Sequence, residues 1–150
     1  MLQKHDIDIL NSIYKNSRMA HDCTKLMCSR CKNAELSDYL LRQQKHYAKN
    51  CMTARDKIEA AGKQAKKLPK MERVMAEMGI YMKTAADKTE SNIAEIMYNG
   101  TNMGIVDISR TLNHSAKAAD STKRLAESLL DEEVKYAAGV IANCVAALHP

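Results

Sequence analysis

Residues 34–70 read AELSDYLLRQQKHYAKNCMTARDKIEAAGKQAKKLPK, and the class of fold follows from how the apolar positions recur in this stretch. Leu36, Leu40, Gln43, Tyr47, Cys51, Ala54, Ile58 and Ala61 fall three or four apart, the period of one helix face. Asn33 stands where an N-cap belongs, Gly62 where a C-terminal glycine belongs, and Pro69 suits the first turn of a following helix. The pattern predicts a helix over about 34–61, about 42 Å long at the helical rise. The basic loop over 63–68 then reaches roughly 27 Å fully extended. A loop that short cannot return along the helix it leaves, so the next helix is expected to run antiparallel.

The same period extends in both directions. Ile9, Ile13, Ala20, Cys23 and Met27 predict a first helix from about Asp6 to Ser29. Met71, Met75, Met78, Met82, Ala85, Thr89, Ile93 and Ile96 predict a third over about 70–98. Asn99-Gly100 is the strongest turn signal in the chain, with Thr101 placed to cap the next helix; the alternative is that one helix runs on through it. Ile105, Leu112, Ala119 and Ala126 are seven apart, interleaved with Ile108, Ser115, Thr122 and Leu129. Continued past Leu130, that phase would bury Glu133 and Asn143, whereas Val134, Ala137, Ile141, Cys144 and Leu148 begin another. A break near Asp131 and a short fifth helix are therefore expected. The fold expected is all-α: one domain over 1–150, an up-down antiparallel four-helix bundle with a short C-terminal fifth helix.

Composition agrees with this and narrows function. Five glycines and two prolines in 150 residues leave few breaks, hence long helices. With no Phe or Trp, the core is expected to draw on Leu, Ile, Val, Ala, Tyr and ten Met. No apolar run reaches the roughly 18 residues of a membrane span, and Met1-Leu2-Gln3-Lys4-His5-Asp6 does not open like a signal peptide. Five cysteines, an odd number, point to reduced thiols and a cytoplasmic protein. A net charge of +5 is modest, and the tyrosines are not interleaved with Lys or Arg, so nucleic acid is not the expected partner. Lys63, Lys66, Lys67 and Lys70, like Asp131, Glu132 and Glu133, read as solvated.

Metal centres in helical bundles need several inward carboxylates, often with Glu-x-x-His on two helices. The inward stripes here offer Ser17 and His21, Gln43 and His46, Thr89 and Asn92, and Ser115. Gln43 and His46 have the i, i+3 spacing with a neutral amide in place of the carboxylate. Without Asp or Glu, this layer is read as hydrogen-bonding side chains that fix helix register. Cys28-x-x-Cys31 lacks the second ligand pair of a zinc site, and it sits at a helix C-terminus, where a thiolate is disfavoured. The Met stripe of 71–82 reads as core; a partner groove is its alternative.

Leu10-Asn-Ser-Ile-Tyr14-Lys-Asn-Ser-Arg-Met19 and Ile93-Ala-Glu-Ile-Met97-Tyr-Asn-Gly-Thr-Asn-Met-Gly104-Ile-Val-Asp107 resemble an uncharacterised all-helical family of anaerobic Gram-positive bacteria, itself similar to ferritin-like bundles. The resemblance implies a His at the position of Asn92, three before Glu95, and the short loop before Pro69 departs from the long crossover of ferritins. Two functions are expected on these grounds. One is a non-enzymatic structural or protein-interaction role, with this chain or another protein as partner and no cofactor. The other is a ferritin-like site for iron, another divalent metal or a small ligand, built from His21, Gln43, His46 and Glu95.

Overall fold

The computed structural model describes residues 2–68, 70 and 90–148, and among them every regular element is a helix. These are α1 (Lys4–Arg30), α2 (Ala34–Ala60), α3 (Glu90–Asn113) and α4 (Asp120–Leu148). They pack as a four-helix bundle, in which α1 and α4 each lie against both α2 and α3.

The ends of α2 form as its sequence dictates. Asn33 Oδ1 accepts from Leu36 N at 2.9 Å, satisfying a first-turn donor. Gly62 takes φ +75°, so that Lys63 N reaches Ile58 O at 3.2 Å and Gly62 N reaches Glu59 O at 2.9 Å. This pair of bonds is the Schellman arrangement, which satisfies carbonyls a helix end leaves open. Asp6, buried in the first turn of α1, accepts from Gln3 N at 2.9 Å and from Ala119 N at 2.8 Å. One carboxylate thus holds the starts of α1 and α4 together.

Two apolar clusters fill the interior. The upper one joins Met27 of α1, Leu36 and Leu40 of α2, Ile93 and Met97 of α3, and Val140 and Cys144 of α4. The lower one joins Ile9 and Ile13, Ala54, Ile108, and Ala126 and Leu129. Each fully buried aliphatic side chain is worth about 1.5–3 kcal/mol. The membership sets the directions: α1 runs up, α2 down, α3 down and α4 up. Every strongly packed pair is antiparallel, while α2 and α3 lie parallel on a diagonal.

Three expectations are corrected. Asn99-Gly100 is not a turn; it lies inside α3, and the chain turns instead at residues 114–119, where His114 N bonds Arg110 O and Ala118 N bonds Ser115 O. A glycine within a helix costs about 1 kcal/mol, less than is gained by burying Ile93, Ile96, Met97 and Ile108 from one continuous element. Residues 90–98 and 120–130 consequently run opposite to the directions expected of them. Among the described residues there is no break at Asp131 and no fifth helix: α4 continues, with Glu133, Ala137, Val140 and Cys144 inside and Val134 and Ile141 outside. Among the described helices α3 runs parallel to α2, giving the order up, down, down, up; the antiparallel helix expected to follow the 63–68 loop falls over residues 71–89, outside the described residues. The Met stripe of 71–82 and Thr89 lie outside the described residues. Elsewhere Met27 and Met97 are buried, while Met52 and Met103 are exposed.

Candidate functional site

Midway along the bundle, between the two apolar clusters, all four helices contribute polar groups to one place. Gln43 and Tyr47 project from successive turns of α2 and are almost fully buried. The Gln43 Nε2 donates to Tyr47 Oη at 3.0 Å, and Tyr47 Oη donates to Glu133 Oε2 of α4 at 3.3 Å. From α3, the buried Thr101 meets the Tyr47 hydroxyl, and its Oγ1 donates to Met97 O at 2.8 Å. Gly104, one turn on, faces the carboxyl at ordinary contact: a Cβ there would lie 3.8 Å from Glu133 Oε2 and 3.9 Å from Asn16 Oδ1 of α1. Asn16 is held by its own donors, with Nδ2 on Asp107 Oδ2 at 2.6 Å and on Ser12 O at 2.9 Å.

Glu133 dominates the electrostatics. Burial pushes its carboxyl up to about 7; the Tyr47 hydroxyl pulls the other way, and neighbouring Glu132 adds to the rise. Burial and the Glu133 carboxyl hold Tyr47 well above the usual phenol range. Near neutral pH the site is therefore a carboxyl poised between two states beside a neutral phenol. Gln43 Oε1 is buried without a hydrogen-bond partner among the described residues. Such an acceptor costs about 1–3 kcal/mol.

A half-buried rim adjoins this core. His46 Nε2 pairs with Glu132, and its ring meets Tyr136 edge-on at 5.5 Å. Tyr136 also packs against Tyr39 and Tyr47, with centroids 6.4 and 5.8 Å away. Tyr39 lies over Gly139, which has no side chain to oppose it.

Of the four residues proposed as ligands, only Gln43 enters the core site. His46 faces Glu132 and Tyr136, not Ser17 and His21. His21 Nδ1 lies 2.9 Å from its neighbour Asp22, and Glu95 is exposed on α3. No three His, Cys, Asp or Glu side chains converge among the described residues. The donor set does not fit a di-metal centre: one carboxyl, an amide, a phenol and a hydroxyl supply too little charge for two hard cations. The expectation that the layer holds no Asp or Glu is corrected by Glu133. The sevenfold spacing Ala126–Glu133–Val140 carries that signal, although an acid at a core position of the repeat resembles a break in it.

The thiols are directed to structure. Cys28 Sγ contacts Ser37 O at 3.7 Å, and Cys31 Sγ contacts Asn33 O at 3.5 Å. Burial raises Cys31, and burial with Asp22 pushes Cys23 up to about 11, so Cys23 and Cys31 stay protonated at neutral pH.

No protein-family model matches the chain, and neither a curated protein nor a solved structure is similar to it. No described helix is long and apolar enough to cross a membrane.

Proposed function

We propose that the chain is a non-enzymatic helical-bundle protein with a structural or protein-interaction role, acting through association of its outward α3–α4 faces. The observation that supports this is the solvent exposure of large apolar side chains on that helix pair. Val134 is 57% exposed, Met103 and Val106 54% each, and Tyr98 and Ile141 are exposed as well. Scattered surface hydrophobes are ordinary, but several on one pair of helices mark a surface that gains by being covered. The mid-bundle layer then serves register: Gln43, Tyr47 and Glu133 are bonded in one alignment of α2 against α4. A reducing cytoplasmic location suits the five free thiols.

Sedimentation of the intact chain from low to high micromolar concentration is expected to show self-association that Val106→Glu with Val134→Glu abolishes. A monomer at every concentration would reject the self-association reading.

A second reading has one observation in its favour. The described helices form two antiparallel pairs, α1 with α2 and α3 with α4, in which α2 and α3 lie parallel, an order that ferritin-like folds share. On that reading Gln43 and Glu133 are what remains of a metal site, and the family resemblance is real. Elemental analysis of native protein decides: stoichiometric iron, manganese or zinc supports the second reading against the first.

A further inference from the structure

The foot of the bundle carries a feature unrelated to the mid-bundle site. Where α1 begins, α2 ends and α4 begins, the helices diverge around an open cavity of about 1370 Å³. Its aliphatic wall is formed chiefly by the half-buried Leu2, Ile7 and Leu125, with the edge of the buried Leu10. Four cations line it, Lys4, Lys57, Lys63 and Arg124, and no Asp or Glu does. Among the described residues none of the four makes an ion pair; the pairs formed there use Lys15, Arg18, His21, His46 and Arg55. Asp6, at the start of α1, has its carboxylate oxygens engaged by Gln3 N and Ala119 N, so it is not free to neutralise the cations. The Gly62 turn carries the chain sharply out of α2 and places Lys63 at the cavity instead of along the helix axis.

These features select a ligand chemistry. A bare inorganic anion would leave the aliphatic wall against water, and a neutral hydrocarbon would make no use of the four exposed cations at its rim. A molecule with both parts satisfies the whole surface, since ligand pockets are mostly apolar with a few polar groups that fix orientation. We propose that this cavity binds a single-chain anionic amphiphile, a fatty-acid-like carboxylate, with its chain along the leucine wall and its head among the lysines and Arg124. The site stands apart from the α3–α4 face and does not depend on self-association.

The test is titration calorimetry of the intact chain with monomeric decanoate, decanol and acetate. The expected result is one decanoate per chain, affinity for decanol at least about tenfold lower, and no heat from acetate. Lys57→Glu with Arg124→Glu is expected to weaken decanoate by about tenfold or more, the loss of two charge-assisted contacts. Lys57→Arg with Arg124→Lys keeps both charges and is expected to retain binding. Circular dichroism of each variant checks the fold, and the charge-preserving pair still tests the site if the reversed pair unfolds. Absence of decanoate binding, equal affinity for decanol, or several equivalents per chain would overturn the proposal. So would binding to anionic vesicles without binding of free decanoate, which would make the surface a membrane contact.

Discussion

Ionising Glu133 would put a charge among an amide, a phenol, a hydroxyl and aliphatic side chains, and that cost governs the behaviour of the protein near neutral pH. A carboxyl near 4.5 in the unfolded chain and near 7 in the bundle binds its proton more tightly when folded. Its contribution to stability is complete below about pH 4.5 and is lost as pH rises toward 7, on the order of 3 kcal/mol in all. Glu133→Gln keeps an acceptor for Tyr47 and removes the titration, so its stability is expected to be nearly flat over that interval. Denaturant melts of both proteins at pH 5, 6 and 7 measure this, and equal slopes would show that Glu133 is not buried as described. Asp6 works in the opposite sense. Burial acts to raise it, but the N–H groups of Gln3 and Ala119 and the Thr122 hydroxyl outweigh that and hold it below its ordinary value. Its stabilisation is present above about pH 4 and fades in stronger acid, outside the Glu133 interval. Asp6→Ala strands two helix-start donors and is expected to cost about 1–3 kcal/mol at pH 7, read from the same melts. Gln43 was legible as an inward residue from its place on an apolar stripe. Glu133 was not, because an acid in a core position is stable only when its proton is retained, and sequence patterning assigns acids their ionised cost.

Helix ends and close approaches between elements depend on single small residues. Asn33 and Gly62 were readable in advance because a cap and a left-handed C-terminal residue are local requirements that few side chains meet. Asn99-Gly100 has the same local signature, yet it lies in mid-helix. There the local preference is about 1 kcal/mol, and it yields to burial on both sides of it. Gly139 is the converse case, a glycine whose role is wholly tertiary. A Cβ there would lie 1.9 Å from Tyr39 Oη and 2.5 Å from Tyr39 Cζ, so Gly139→Ala must push the Tyr39 ring off α4. The expected cost is about 1–3 kcal/mol, with the Tyr39–Tyr136 pair disturbed. Gly104→Ala, by contrast, makes only ordinary contacts, so it is expected to be neutral or slightly stabilising through helix propensity. Thermal melts of the two variants side by side would test this pairing, and a Gly139→Ala protein as stable as the parent would mean that Tyr39 does not pack there.

At the scale of the molecule, the class of fold was legible and its direction of travel was not, for a single reason. A heptad pattern reports which residues face inward but does not say where a helix reverses, since the same period continues on either side of a turn. Ile105, Leu112, Ala119 and Ala126 kept step across residues 114–119, so two helices looked like one. Placing the turn there and not at Asn99-Gly100 reverses residues 90–98 and 120–130, sets α2 and α3 parallel on a diagonal, and aligns α4 with Tyr47. One distance separates the two arrangements. In a single helix, Val106 and Glu127 would lie about 32 Å apart at 1.5 Å per residue. With the turn at 114–119 they project from adjacent antiparallel helices, whose axes pack about 8–10 Å apart. Both side chains are exposed, so spin labels introduced through non-natural residues at these positions leave the core intact. A pulsed dipolar measurement is expected to give well under about 25 Å, allowing for label length beyond that interaxial spacing. A narrow distribution beyond about 30 Å would restore the continuous helix, and with it would go the contact of Glu133 with Tyr47 on which the pH dependence rests.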